Sequence, residues 1–291
     1  MTVFVEEKAV KDKVLLAGPW VGEFGWELFC WQAHVRRLSK DYKETYVISR
    51  PGHGILYADF ASKFYEFDPK SWKTNMNECE DGIDPKSLID SIEYDDYLSG
   101  RYFMDISYDG LVYKDNKGHF GKQIFHKYTG NEAPFDDNVK TYDLLLHPRN
   151  KPTGADRNWD AWRWQQLVDE LQGKYTMAVI GNDQAYSVKG ADDLRGISLH
   201  SLVKHINQCG MVVGPSSGPM HLASLCGKKH LVWTPEFNRI RYETWWNPFN
   251  TEVILCTEGN WHPKVETVKN KIYESLICSG IQPNVNEHSA G

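Results

Sequence analysis

The segment MVVGPSSGPMHLASLCG, residues 211–227, decides the fold. An apolar run opens it, which indicates a buried strand, and the small-residue turn at 214–218 ends that strand. Pro219 follows at the first helical position, where its missing N–H costs nothing, and the apolar residues after it recur with helical spacing. A helix that begins after such a turn directs free N–H groups and a positive dipole end forward, which favours a phosphate. The alternative is a strand-to-helix junction that binds nothing.

Strand and helix patterns of the same kind surround this segment. The chain begins with a strand at 14–17, a glycine-rich turn at 18–22, a helix at about 23–38 and a strand at 45–49. The second half alternates strands at 143–146, 175–180, 230–233 and 252–256 with helices at about 160–172, 199–209 and 263–277. This alternation predicts parallel sheets in an α/β protein, whereas the polar stretch 57–138 predicts irregular, partly β structure.

The pattern predicts two doubly wound domains, residues 1–140 and 141–280, followed by a flexible tail at 281–291. The terminal helix at about 263–277 is expected to belong to the second domain or to pack back on the first. Ligand sites of doubly wound domains lie at the carboxyl ends of their strands. The turns at 18–22 and 214–218 both occupy such positions.

Composition narrows the class of protein. The chain has 291 residues, with 33 basic and 39 acidic side chains and a net charge of −6, which disfavours a general nucleic-acid binder. No apolar run is long enough to span a membrane, and the amino terminus does not resemble a signal peptide. Six cysteines are scattered singly, which predicts reduced, mostly buried thiols, a cytoplasmic location and no metal site. The eleven tryptophans fit stacking on sugars or bases, although most are expected in the core.

Five short motifs occur in order between residues 142 and 235. They are His147-Pro148-Arg149, Arg157-Asn158-Trp159, Ile180-Gly181-Asn182, residues 194–199 (LRGISL) and residues 214–223 (GPSSGPMHLA). The ordered set resembles the ADP-heptose:lipopolysaccharide heptosyltransferase family. The resemblance implies a GT-B fold, in which two Rossmann-like domains face a central cleft. It also implies an inverting, metal-independent transfer of a hexose or heptose, with the nucleotide-diphosphate sugar as co-substrate and no further cofactor.

The resemblance also implies which residues bind the donor. Residues 214–218 and the helix after them would hold the diphosphate, a basic side chain would add charge, and three loops would line the nucleotide pocket. The candidates are Arg149, Thr153, Arg157, Asn182, Ile197, Ser216, Ser217, Gly218, Met220 and His221. Ser216 stands where the family has an acid that contacts the sugar, which puts a heptose in doubt. The aromatic segment 239–250 would border the donor pocket or form the interdomain hinge.

The first half resembles the family only at the turn after the first strand. Glu23 stands where the family has its proposed catalytic aspartate, so Glu23 is the candidate base, with Glu27 as the second choice. An acid in the first helical turn has a plainer explanation in the helix dipole. Strand-end geometry suggests that the acceptor, a glycan or glycoconjugate, contacts Trp20, Trp26, Arg50 and His53.

Three other functions remain open at the level of sequence. One is a glycosyltransferase that modifies nucleic-acid bases, which the tryptophan-rich first half permits and the net charge disfavours. Another is a nucleotide-sugar epimerase, since some epimerases share this fold. The third is a sugar-nucleotide-binding module without catalytic activity, which Ser216 in place of the acid leaves possible.

Overall fold

The computed structural model describes residues 11–70, 84–100, 123–131, 141–152, 154–278 and 280–281, and the structural statements below concern these residues. The chain divides into two compact units, unit 1 (residues 1–126) and unit 2 (residues 127–291). The division therefore falls earlier in the chain than the expected boundary at 140/141. The assignment of one half to the acceptor and the other to the donor stays a prediction.

Unit 1 is built on a four-stranded parallel sheet. Its strands are β1 (Lys11–Ala17), β2 (Tyr42–Ser49), β3 (Lys63–Glu66) and β4 (Asp96–Leu98), in the order β3-β2-β1-β4. A helical run connects β1 to β2 and consists of α1 (Phe24–Trp26), a π-helical segment (Glu27–Trp31) and α2 (Gln32–Ser39). The short helix α3 (Lys86–Asp90) precedes β4. This β-α-β start confirms the pattern expected at the amino-terminal end.

Unit 2 contains a six-stranded parallel sheet. The strands are β5 (Leu144–Leu146), β6 (Met177–Gly181), β7 (Asp192–Arg195), β8 (Met211–Pro215), β9 (His230–Trp233) and β10 (Val253–Cys256). The helices are α4 (Ala161–Leu171), α5 (Leu199–Gln208), α6 (Gly218–Cys226) and α7 (Val265–Cys278). Between β9 and β10 a π-helical segment covers Arg241–Trp245.

The strand order of unit 2 locates its ligand site. The order is β10-β9-β8-β5-β6-β7, so the first strand of the unit, β5, lies beside the fourth, β8. This is the order of the dinucleotide-binding α/β fold, and the direction of winding reverses between these two strands. Ligands of such sheets bind outside the carboxyl ends of the strands at that reversal. The glycine-rich turn at 214–218 follows β8 at this point.

The core of unit 2 is centred on three tryptophans. Trp159, Trp164 and Trp233 are fully buried, and their ring centroids lie 5.0–5.3 Å apart. The apolar side of α7 lies in the same cluster, through residues that include Val268 and Ile272. The terminal helix thus packs in the core of unit 2.

Trp164→Ala is expected to destabilise the protein by about 3–5 kcal/mol, because it removes a buried aromatic ring from the centre of this core. Trp164→Phe keeps a ring and removes an indole N–H that is buried without a hydrogen-bond partner in the described structure. A clearly smaller loss is therefore expected for Trp164→Phe. Urea unfolding of both variants measures the difference, and equal losses would contradict the packing assignment.

Two further expectations are met in the described residues. Cys30, Cys209, Cys226 and Cys256 are free and buried and Cys278 is free and exposed, while Cys79 lies outside the described residues. Across the described segments, no helix has the length and apolar character needed to cross a bilayer. A cytoplasmic location stays a prediction, and the flexible tail predicted at 281–291 falls almost wholly outside the described residues.

Candidate functional site

The turn after β8 offers unpaired hydrogen-bonding groups at the start of a helix. Ser217 is the N-cap of α6 in extended conformation, yet its hydroxyl does not cap the helix. Its Oγ atom is buried and has no hydrogen-bond partner among the described residues. Gly218 is the first helical residue and its N–H has no acceptor in the described structure, whereas Pro219 has no N–H and the N–H groups of Met220 and His221 donate to the carbonyl oxygen of Ser217. The turn therefore combines an unpaired hydroxyl with a positive helix end, as a phosphate site requires.

Ser216 faces inward, contrary to the sequence-based expectation that its side chain contacts the donor. It is 3% exposed, and its Oγ accepts a hydrogen bond of 2.7 Å from the hydroxyl of Tyr242. Burial raises the pKa of Tyr242, so this hydroxyl keeps its proton and acts as the donor. Tyr242 comes from the π-helical segment between β9 and β10, far from Ser216 in sequence. Ser216 thus fixes this tyrosine beneath the turn.

A double-mutant cycle tests the Ser216–Tyr242 hydrogen bond. Ser216→Ala leaves the buried tyrosine hydroxyl without this acceptor and is expected to cost about 1–2 kcal/mol of stability. Tyr242→Phe should cost a similar amount, and the double variant less than the sum, because both polar partners are then absent. Chemical denaturation gives the coupling energy, and strict additivity would show that the bond contributes nothing.

His221 lies below the same turn as a neutral side chain. It is 4% exposed, its ring stacks on Tyr242 with centroids 4.9 Å apart, and the edge of Trp246 approaches it at 4.6 Å. Burial lowers the pKa of His221 well below its usual value, and the charges of Arg241 and Arg157 lower it further. His221 therefore supplies packing and a neutral imidazole at this site, with no positive charge for a phosphate.

Two arginines follow β5. The guanidinium of Arg149 is hydrogen-bonded, whereas that of Arg157 lies over the ring of Trp261, 5.9 Å from the ring centroid. Arg149 is 3% exposed and donates to the carbonyl oxygen of Gly154 at 2.9 Å and to Asn158 Oδ1, so it closes the loop between them. Arg157 is half-buried, and no hydrogen bond or ion pair engages its guanidinium in the described structure. Its charge lowers the pKa of His221, which places it near the turn after β8. Arg157 is thus the available cation.

The remaining predicted donor residues lie at or near the same edge of the sheet. Asn182 is exposed directly after β6, and Ile197 is half-buried just after β7. Met220 is fully buried, and its sulfur lies 3.1 Å from the position that a Cβ on Gly214 would take, so its side chain packs behind the turn. Direct contact of that side chain with a donor does not fit this burial. Thr153 lies outside the described residues.

The corresponding edge of unit 1 contains the predicted base. Glu23 is half-buried just before α1, and no hydrogen bond holds its carboxylate among the described residues. Arg50, 4% exposed, donates to the carbonyl oxygens of Val21 at 2.7 Å and Gly22 at 3.2 Å, so it ties β2 to the turn after β1. Its guanidinium therefore shapes the turn.

The two tryptophans expected to bind the acceptor lie inside unit 1. Trp20 is fully buried and stacks on Trp31 with ring centroids 5.6 Å apart, and a Cβ on Gly22 would lie only 2.5 Å from it. The prediction that Trp20 contacts the acceptor is therefore wrong. Its ring belongs to the core, because protein covers both of its faces. Trp26 is 9% exposed, so only a small part of its side chain could contact an acceptor.

A buried carboxylate cluster lies beside this edge, and the sequence indicated it only in part. Glu27 is fully buried, and its Oε1 accepts hydrogen bonds from the hydroxyls of Ser49 at 2.6 Å and Tyr57 at 2.7 Å. Its Oε2 lies 2.7 Å from Nδ1 of His53. Burial alone would raise the pKa of Glu27, but His53 and the two hydroxyls outweigh it, so the pKa is lowered and the group is a carboxylate.

No residues in the described part of the chain form a group of three His, Cys, Asp or Glu side chains suited to a metal ion. The expectation of a metal-independent reaction remains a prediction.

Solved structures share this architecture. A glycosyl transferase family 9 protein from Veillonella parvula is 12% identical, with 93% of this chain and 99% of that chain covered and a TM-score of 0.55. The ADP-heptose LPS heptosyltransferase II of E. coli is 15% identical, with 92% and 99% covered and a TM-score of 0.55. The chain has the GT-B fold. The E. coli heptosyltransferase WaaC with ADP is a third GT-B neighbour, 11% identical over 90% and 99%, with a TM-score of 0.54.

Identities this low establish the GT-B fold alone. No protein-family model matches the chain, and no curated protein matches it. The activity of this GT-B chain must therefore be argued from its own residues.

Proposed function

We propose that the protein is a glycosyltransferase that moves a sugar from a nucleotide-diphosphate sugar to a hydroxyl group of a glycan or glycoconjugate. The observation that carries the proposal is the unpartnered Ser217 hydroxyl at the start of α6, located where the winding of the unit 2 sheet reverses. This is where a doubly wound sheet binds a nucleotide. The GT-B neighbours, which are glycosyl- and heptosyltransferases, support the same class of reaction.

The diphosphate would be held by three groups: the Ser217 hydroxyl, the Gly218 N–H at the start of α6, and the guanidinium of Arg157. Each stabilises the negative charge that grows on the leaving phosphate as the bond to the sugar breaks. A helix end and an arginine can supply this charge stabilisation themselves, so we propose a reaction independent of metal ions and cofactors. Undiminished turnover in EDTA is the expected result.

The transfer is proposed to invert the anomeric centre. A base takes the proton of the acceptor hydroxyl, the oxygen attacks the anomeric carbon, and the electron pair of the breaking bond leaves on the phosphate. A single displacement of this kind inverts configuration, which the anomeric couplings in the product's NMR spectrum would report. Glu23 is the base that the sequence suggests, and the contact of His53 with the buried Glu27 carboxylate makes His53 a second candidate.

The first experiment is a thermal-shift screen with ADP, UDP, GDP and CDP and their sugars, because a ligand of the folded state raises the melting temperature. Nucleotides that bind are then tested as sugar donors against a panel of glycan acceptors. Absence of binding by all of them would refute the proposal. Release of an altered sugar without an acceptor would indicate an epimerase. Salt-sensitive binding to DNA would indicate an enzyme that modifies nucleic-acid bases. Nucleotide binding without any turnover would indicate a binding module without catalytic activity.

Arg157→Gln is expected to weaken the best nucleoside diphosphate by about 10- to 100-fold, since a charge-assisted hydrogen bond is worth about 1.5–3 kcal/mol. Lys189→Gln removes the same charge from an exposed position of unit 2 and is the matched control. Isothermal titration calorimetry measures both affinities. If both variants weaken nucleotide binding equally, Arg157 contributes only to the overall charge of the protein and does not contact the diphosphate.

A further inference from the structure

We infer that His53 is the base that takes the proton of the acceptor hydroxyl, and that the buried carboxylate of Glu27 positions it. The inference rests on the proposed glycosyl transfer and names the group that starts it. It replaces Glu23, the base suggested by the sequence, with a pair of residues that the fold brings together.

The carboxylate of Glu27 is arranged so that one of its two oxygens contacts His53 alone. Its Oε1 atom already accepts two hydroxyl hydrogen bonds, from Ser49 at the end of β2 and from Tyr57. Its Oε2 atom is left for Nδ1 of His53, at 2.7 Å. With its side chain fully buried and both oxygens engaged, Glu27 cannot reach a substrate, but it fixes the imidazole next to it.

His53 is held with its other nitrogen available. A carboxylate accepts the Nδ1 proton, so the neutral ring carries its lone pair on Nε2. Nε2 has no hydrogen-bond partner among the described residues, and 13% of the side chain is exposed. The ring of Phe24 meets the imidazole edge to face, with centroids 5.5 Å apart, and restricts its rotation. A carboxylate that orients a histidine and stabilises its charged form is a recurring arrangement for general bases.

The surroundings of His53 favour it over Glu23. The two residues follow the neighbouring strands β2 and β1, so both belong to the carboxyl edge of the unit 1 sheet. The Glu23 carboxylate has no hydrogen bond to hold it in the described structure, whereas the imidazole of His53 is held at Nδ1 by Glu27. Two other charged groups flank the loop that carries His53. Arg50 is engaged by turn carbonyls, and Glu66 accepts a hydrogen bond from the Gly52 N–H at 3.0 Å.

The step balances without any further reagent. The Nε2 lone pair takes the hydroxyl proton, the acceptor oxygen forms its bond to the anomeric carbon, and the bond from that carbon to the phosphate oxygen breaks. The nucleoside diphosphate leaves with the electron pair. The imidazolium is stabilised by the Glu27 carboxylate and then returns its proton to solvent.

His53→Asn is the decisive variant, because the amide N–H can still donate to Glu27 while the basic nitrogen is lost. With the donor found in the screen, kcat is expected to fall by about 100-fold or more, and nucleoside diphosphate affinity to stay unchanged. Added imidazole should restore part of the activity of His53→Gly, an effect that a purely structural histidine would not show. Glu23→Gln is the competing variant, and a fall in kcat that matches or exceeds that of His53→Asn would contradict the assignment of the base to His53.

The role of Glu27 has its own readout. In the wild type, nitrogen-15 NMR of the neutral ring should show a protonated Nδ1 and an unprotonated Nε2 at His53. Glu27→Gln, which removes the charge with little change of shape, should weaken that preference and lower kcat with little change in nucleotide affinity. An unchanged tautomer in this variant would refute the positioning role.

The outcomes separate the two proposals. If the wild type binds no nucleoside diphosphate and turns over no nucleotide sugar, the proposed function fails, and this inference fails with it. If the wild type is active, His53→Asn keeps its rate and Glu23→Gln loses it, then the inference alone is wrong and Glu23 is the base.

Discussion

Ser217→Asp is expected to weaken nucleoside diphosphate binding by at least about 100-fold in a protein that still folds. The new carboxylate would lie at the start of α6, where it interacts favourably with the helix dipole and is an accepted N-cap. The same carboxylate would lie next to the phosphates of the bound nucleotide and repel them. Two like charges about 4 Å apart near a protein surface repel by about 4 kcal/mol, more than a 100-fold loss requires.

Ser217→Asn is the control for this variant, because asparagine has the size of aspartate and the same preference for the N-cap position. Its effect on affinity should be much smaller, so the difference between the two variants isolates charge. Calorimetry with the nucleotide found in the screen gives both constants, and circular dichroism verifies the fold. Equal affinities for Asp and Asn would show that the anion binds elsewhere.

The sequence predicted the elements with strong periodicity and missed those without it. The helix from about residue 199 and the strand at 230–233 were predicted to within a residue, because the helix has one clear apolar side and the strand is a short run that is buried throughout. β7 (Asp192–Arg195) was missed because it is an edge strand with mostly polar, partly exposed residues, which lack a strand's apolar pattern. β3 and β4 are equally short and lie at the two edges of the unit 1 sheet.

The position of the donor site was predictable, but the direction of its side chains was not. A glycine-rich turn between strand and helix has a local signature, so residues 214–218 could be located from the sequence. That Ser216 points inward depends on Tyr242, which arrives from a segment more than twenty residues later. Contacts between residues far apart in the chain produce no periodic pattern in the sequence. The only sequence signal was the aromatic character of residues 239–250.

The same limit applies to unit 1. Glu27 looked like a second-choice base because it lies one turn after Glu23, and His53 like a residue near the acceptor. The fold brings the two side chains into hydrogen-bond contact and adds Ser49 and Tyr57. A carboxylate and a histidine 26 residues apart are not recognisable as a pair without the parallel alignment of β1 and β2.

Glu27→Leu is expected to lower the free energy of unfolding at pH 7 by about 3–5 kcal/mol. Leucine fills a similar volume but accepts no hydrogen bond, so Ser49, Tyr57 and His53 lose their shared acceptor inside the protein. Glu27→Gln keeps one acceptor oxygen and should lose less. Denaturant unfolding measures both, and a loss below about 1 kcal/mol for the leucine variant would contradict the cluster.

The pH dependence of unfolding tests the charge of Glu27 itself. Its pKa is lowered in the folded protein, so the folded state binds the Glu27 proton less readily than the unfolded chain does. The stability that results is complete above the unfolded pKa, about 4.3, and is lost as the pH falls through the folded pKa. The wild type's advantage over Glu27→Gln should therefore shrink as the pH falls below about 4.3. Other carboxylates titrate in both proteins and cancel in this difference, so a gap that keeps widening below that pH would show that Glu27 is protonated in the fold.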